Sequence, residues 1–332
     1  MSGSGARVAV VGATGALGGE VLAALDEAHF EVGELVPIAS DRSLGSDVEL
    51  RGQGIPVETE LARLRGADLA FLCAPPAVSL EAVAIALRAE VPAIDLSGAL
   101  TGRREVPLAG ADASAWGVDQ PLLALPPGPA LAWLRVLAPI DRACPLRRVV
   151  ATALLSASAL GRGAIAALGD ETVALLGQGD PPEPRVLDHP VAFDCLPWVD
   201  ELAGDGASRA ESELAAALTR VLDREIAIAV TLVRVPTFCG DAAVLALETD
   251  APAEPPRLLD LLRKAEGIEL APAPTTRAAA GSGLVHVGRL RSDPTRPGGV
   301  LLWLAADSLR IAAAHAVRLA EARLGAAGSP RR

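Results

Sequence analysis

The sequence predicts an α/β protein of two domains, the first built on a parallel sheet, the second an α+β domain with a mostly antiparallel sheet. Three observations predict it. A chain of 332 residues makes about two domains of ordinary size. Strand-like and helical segments alternate through residues 1–130, as they do in a parallel sheet covered on both faces. Beyond them, long runs of alternating polarity suit antiparallel strands with one face on helices.

The elements follow in order. Arg7 to Val11 is a short β-branched run, GATGALGG follows directly, and Leu17, Val21, Leu22 and Leu25 then fall on one helical face. Further strand-like runs occur at Leu35 to Ala39, Asp68 to Cys73 and Val91 to Asp95, with a helix around Val78 to Ala89. Within residues 131–307, Arg148 to Leu155 reads as a strand, and Gly163 to Leu176 and Arg209 to Leu222 as helices. Ile226 to Pro236, Ala242 to Glu248, Leu284 to Arg291 and Val300 to Ala306 read as long strands. Proline-rich breaks at 181–184, 252–256 and 271–276 read as loops. A terminal helix over 308–325 opens on Ser308 as its cap.

Composition excludes several functions. The net charge is −11 and the pI about 4.9, so the protein's field repels nucleic acid and anionic lipid. Lys264 is the sole lysine, and only 2% of residues are aromatic, too few for base-stacking platforms. Tyrosine is absent, which removes any mechanism with a tyrosine acid. Cys73, Cys144, Cys195 and Cys239 lack metal spacing, so no metal is expected. Buried free thiols in a reducing compartment fit them best. With no secretory leader pattern and no long uncharged apolar run, the sequence reads as that of a cytoplasmic protein without a membrane partner.

Gly12, Gly15 and Gly18 make a GxxGxxG turn between the first strand and the first helix. Amides at such a helix start can donate to a pyrophosphate, so the turn points to a dinucleotide. After the second strand come Ser40, Asp41, Arg42 and Ser43. An arginine fork with hydroxyls there favours NADP through its 2′-phosphate, with NAD the weaker alternative, whereas Asp41 works against that preference.

The strings VGATGALGGEVL, IASDRSLGS, FLCAPPAVS, AIDLSGAL, VLDHPVAFDCLPWVDEL, VTLVRVPTFCGDAA, VHVGRLRSD and LLWLAADSLRIAAAHAVRLAE stand in this order. Together they resemble the aspartate-semialdehyde dehydrogenase family from residue 7 to about 324, including its cysteine-less, Usg-type branch. The resemblance implies a Rossmann-type NADP-binding domain over 1–130, completed by the helix over 308–325, and a substrate-binding and dimerisation domain over 131–307. It implies a homodimer, with a catalytic paralogue as a second candidate partner. Thr14, Ala16, Leu17, Ser40, Arg42, Ser43, Ser158 and Ser308 match its cofactor contacts, although Ser308 replaces an asparagine and Ala159 a glycine.

The family's reaction is the reversible reductive dephosphorylation of β-aspartyl phosphate through a cysteine thioester. Here Gly128 stands at the nucleophile's position. Arg234 matches the substrate-binding arginine, but the base histidine seven residues on is Asp241, a poor proton shuttle with a reference pKa of about 3.9. The acyl-orienting glutamine aligns with Leu155, and the two phosphate-binding cations align with Thr101 and Glu213. This pattern predicts a binding protein without the thioester chemistry. The rival is an active dehydrogenase using a relocated nucleophile, for which Cys239 is the candidate; His189 and His286 read as structural. A short-chain reductase shares the GATGALG opening but needs a tyrosine.

Overall fold

A computed structural model describes residues 5–112, 116–183, 187 and 189–327. Of the string VLDHPVAFDCLPWVDEL, Val186 and Asp188 lie outside the described residues, as does Pro184 of the first proline-rich break. The chain forms two compact units, Met1–Pro127 with Ala312–Arg332, and Gly128–Ile311.

In the first unit the strands β1 (Ala6–Val11), β2 (Val32–Ile38), β3 (Asp47–Leu50), β4 (Gln53–Pro56), β5 (Leu69–Leu72), β6 (Ala93–Asp95) and β7 (Leu122–Ala124) alternate with α1 (Ala16–Asp26) and α2 (Pro76–Arg88). The main sheet has the order β2-β1-β5-β6-β7, and all its pairings are parallel. Because side chains alternate along a strand, Val8 and Val10 enter one core cluster and Ala9 and Val11 another. Residues of β5 divide in the same way, Leu69 and Phe71 to one face and Ala70 and Leu72 to the other. Both faces are therefore closed, which is why these strands read as nearly continuous apolar runs. The β3–β4 hairpin was not expected from the sequence; its four-residue strands and exposed Arg51–Gly52 turn leave a weak signal.

The second unit contains α3 (Ala130–Ala143), β8 (Leu146–Leu155), α4 (Arg162–Leu176), α5 (Arg209–Leu222), β9 (Ala227–Arg234), β10 (Asp241–Thr249), α6 (Pro255–Lys264), β11 (Ile268–Leu270), α7 (Thr276–Ala279), β12 (Val285–Ser292) and β13 (Val300–Ala306). The sheet order is β11-β12-β13-β10-β8-β9. Its centre is antiparallel, and its two edge pairings are parallel, so the sheet is mixed. Helices α3, α5 and α6 pack against this sheet. Val150, Thr152, Val244, Leu301 and Trp303 share the opposite, half-exposed face.

Three local expectations are corrected. The stretch at 252–256 is not all loop, because Pro255 and Pro256 open α6, where a missing N–H costs nothing. The terminal helix α8 (Ser308–Ala327) is capped by Asp307, whose Oδ1 accepts the Arg310 amide at 3.1 Å, rather than by Ser308. Of the thiols, Cys144 is buried, Cys73 and Cys239 are half-buried, and Cys195 is exposed, because it sits on the open Phe193–Asp194 turn.

Arg323 fastens α8 within the first unit. Its Nη1 donates to the carbonyls of Gly117 at 2.6 Å and Gln120 at 3.0 Å, and its Nη2 to that of Val118 at 2.9 Å. The guanidinium also lies 4.1 Å from the Trp116 ring centroid. Arg323→Ala is expected to cost about 3 kcal/mol, because it removes the charge-assisted bonds and the cation–π interaction together. Denaturant unfolding measures it, and Arg323→Lys, which keeps the charge without the fork, should recover only part.

Candidate cofactor cleft and ligand pocket

In the first unit the glycine turn sits where β1 passes into α1. Gly12 has φ +86°, and a Cβ there would lie 2.7 Å from the Ala74 amide nitrogen. At Gly18 a Cβ would lie 2.1 Å from the Gly12 carbonyl oxygen. Only hydrogen fits at either place. No side chain caps α1, so first-turn amides of Ala16, Leu17 and Gly18 remain available to an anion. A cleft of about 610 Å³ opens beside the turn, lined among others by Gly12, Thr14, Gly15, Ser40, Asp41 and Arg42.

Thr14 Oγ1 lies 3.0 Å from Ser43 Oγ, which links the turn to the short 3₁₀ segment Asp41–Ser43. Arg42 and Asp41 are both exposed at this cleft. A dinucleotide fits these residues: the cleft is of ligand size, and its floor is a backbone that no side chain obstructs. Cys73, directly after β5, also lines the cleft. Burial, with Asp95 adding to it, pushes its thiol far above the ordinary range, so it supplies no thiolate near neutral pH.

In the second unit Gly128 has φ +52° and no atom within 4 Å of the place a Cβ would take. It precedes α3, whose first turn has no side-chain cap. Asp241 opens β10 and is buried. Its Oδ1 accepts the Ser156 amide and the Ser156 hydroxyl, each at 2.9 Å, and its Oδ2 accepts Ser308 Oγ at 2.6 Å. Ser156 Oγ lies 2.9 Å from Ser158 Oγ, so Ser158, Ser156, Asp241 and Ser308 form one chain of hydrogen bonds. Desolvation raises the Asp241 carboxyl above the usual carboxylate range, and neighbouring Asp307 adds to the rise, against the lowering by these bonds.

Ser156 was missed from the sequence, since nothing in a lone serine at a strand end marks a partner 85 residues away. Arg234 closes β9 with 1% of its surface exposed. Its Nη2 donates to the Val199 carbonyl at 3.4 Å, and its Nη1 has no partner. Burial lowers its proton affinity, and Asp241 counters that electrostatically. Leu155 is buried, while Glu213 is exposed and paired with Arg209 at 3.2 Å. Cys239 is half-buried two residues before Asp241. His189 packs edge-on against Trp198, and His286 Nδ1 lies 3.7 Å from Glu269. Among the described residues no cluster of His, Cys, Asp or Glu could hold a metal.

Comparison with known proteins accounts for this arrangement. Residues 7–115 match the semialdehyde dehydrogenase NAD binding domain, and residues 137–311 the semialdehyde dehydrogenase dimerisation domain. The chain is 32% identical over 326 residues to aspartate-semialdehyde dehydrogenase 2 of Vibrio cholerae, covering 95% of this chain and 96% of that protein. It is 33% identical over 328 residues to the USG-1 protein homolog of Azotobacter vinelandii, covering 95% and 96%. The crystal structure of aspartate semialdehyde dehydrogenase II from Vibrio cholerae, complexed with ASA, superposes with a TM-score of 0.91 at 30% identity, covering 97% of this chain and 99% of that one. The chain belongs to the semialdehyde dehydrogenase family, as an aspartate-semialdehyde dehydrogenase-like member with an NAD(P)-binding domain.

Proposed function

We propose that this protein is an NADP-binding, dimeric member of the family that has lost the thioester chemistry and acts by binding. The observation that carries the reading is the pair Gly128 and Asp241 at the nucleophile and base positions. Glycine offers no thiol, and the carboxylate of Asp241 is already held by Ser156 and Ser308.

On the cofactor side, the amides that follow Gly15 address the pyrophosphate, while Arg42, Ser40 and Ser43 address the 2′-phosphate. Ser158 and Ser308 are assigned as cofactor contacts from the resemblance. A bound nicotinamide would supply hydride acceptance, and without a cysteine to hold an aldehyde as its thiohemiacetal there is no hydride donor for it to serve. Arg234 holds the carboxylate of a small ligand, since its buried, unpartnered Nη1 is a donor awaiting an acceptor. The half-exposed apolar face of the second unit's sheet, with Val244 and Trp303, supports a homodimer built through that sheet; a catalytic paralogue could take the same place. Four cysteines outside any disulfide support the reducing cytoplasm as its compartment. No helix among the described residues is long and apolar enough to cross a membrane.

Titration calorimetry tests the cofactor assignment. NADP is expected to bind more tightly than NAD by about 1.5–3 kcal/mol, the worth of a charge-assisted bond, and Arg42→Ala should erase the difference. Equal affinities in the unaltered protein would refute NADP preference. Sedimentation at micromolar concentration should give a dimer, and a monomer there would count against the sheet-built interface.

A further inference from the structure

The cofactor cleft joins its two anion positions through one pair of hydroxyls. Thr14 belongs to the glycine turn beside the pyrophosphate position and Ser43 to the segment beside the 2′-phosphate position, and their oxygens lie 3.0 Å apart. Thr14 lines the cleft with Ser40 and Arg42, and Ser43, half-buried, follows Arg42. Backbone bonds hold both ends. The amides of Gly12 and Ala13 donate to the Ile38 carbonyl at 2.7 and 3.1 Å, and the Gly15 amide donates to the Gly12 carbonyl at 3.0 Å. The Ser43 amide donates to the Ser40 carbonyl at 2.8 Å, while the Ser43 carbonyl accepts the Ser46 amide at 3.1 Å and the Ser46 hydroxyl at 2.6 Å. The spacing of the two oxygens is thus set by the scaffold.

Each hydroxyl carries one hydrogen, and either oxygen can be the donor across the 3.0 Å between them. Oxygens held at that distance keep one hydrogen between them, because releasing it loses a hydrogen bond and sets bare lone pairs against each other, which offsets the bond gained to a phosphate. One hydrogen is left for a ligand. When Ser43 donates to Thr14, that hydrogen leaves from Thr14; when the shared bond reverses, it leaves from Ser43. We propose that Thr14 and Ser43 act as one reversible donor, giving the dinucleotide a single hydrogen bond: from Thr14 to the pyrophosphate of NAD, and from either hydroxyl, to the pyrophosphate or the 2′-phosphate, when NADP is bound. The inference rests on the reading of this cleft as a dinucleotide site. The pair then serves both cofactors equally and leaves the choice between them to Arg42. For NADP each hydroxyl stands in for the other; for NAD only Thr14 has an anion to meet.

Titration calorimetry of the full chain with NADP and with NAD tests this on Thr14→Val, Ser43→Ala and the double variant. A hydroxyl bond to a charged phosphate is worth about tenfold in affinity. For NADP, either single change should weaken binding by no more than about twofold, and the two together by about tenfold. For NAD, Thr14→Val alone should weaken binding about tenfold, and Ser43→Ala by no more than about twofold. Thr14→Ser, which keeps the hydroxyl, should restore NAD binding. Two independent donors would behave otherwise: each single change would cost NADP about tenfold and the double about a hundredfold. That pattern would overturn the shared hydrogen and leave the cofactor site standing. Should the double variant fail to fold, judged by its urea midpoint, the single variants decide, since about tenfold loss of NADP in either contradicts the inference. NADP binding indifferent to the double change would also overturn it. Failure of the unaltered protein to bind either dinucleotide would overturn the cofactor reading itself.

Discussion

Mixed with aspartate semialdehyde, phosphate and NADP, the protein is expected to produce no reduced cofactor, at a rate at least about 10⁴-fold below that of a relative with an intact nucleophile and base. Absorbance at the reduced-nicotinamide band reads this directly. The expectation extends to repaired variants. Gly128→Cys has room for its thiol, since no atom lies within 4 Å of the Cβ position. Its φ of +52° costs a side chain about 1 kcal/mol. Even so, the thiol would lack a base, because Asp241 is tied to Ser156 and Ser308. Glu213 would still present a carboxylate where the family's pattern places a cation. Measurable turnover is expected only when Gly128→Cys is combined with Asp241→His and with basic residues at Glu213 and Thr101. Activity in Gly128→Cys alone would contradict this account.

The second large effect is steric. Gly18→Ala should destabilise the first unit by roughly 3 kcal/mol and reduce NADP binding below detection. Its methyl group would lie 2.1 Å from the Gly12 carbonyl oxygen, a backbone atom that cannot swing aside, and overpacking of this kind costs about 1–3 kcal/mol or more. Gly12 is held in place, because its amide donates to the Ile38 carbonyl at 2.7 Å. Gly45→Ala provides the comparison: at φ +80° and with nothing within 4 Å, it should cost only about 1 kcal/mol and leave the cofactor bound. Urea unfolding and calorimetry on both variants measure the contrast. Comparable losses in the two would show that the turn is not a close-packed cradle.

Much of the fold was legible because its signals are local. The β1 run followed by GATGALGG carries strand, turn and helix in adjacent residues, and the alternation in β8 to β10 and β13 follows from one covered face. Helix α3 was not legible, because Pro139 inside it argues against a helix and only its buried setting overrides that preference. Strand β7, three residues long, draws its order from its parallel neighbour β6 rather than from its own pattern. In the candidate site, the places of Gly128, Asp241 and Arg234 in the family's pattern were readable only through the resemblance. What Asp241 does was not, since its partners Ser156 and Ser308 come from a strand end and a helix start distant in sequence. Likewise the Asp307 cap and the exposure of Cys195 depend on backbone geometry that neighbouring residue types leave open.

The central claim, that no nucleophile remains for acyl transfer, is tested most directly by intact-mass spectrometry after incubation with aspartate semialdehyde, NADP and phosphate. The account predicts an unmodified mass for the protein and for Cys239→Ser alike. An acyl adduct on the unaltered protein that disappears in Cys239→Ser would contradict it, and would establish Cys239, two residues from Asp241, as a relocated nucleophile.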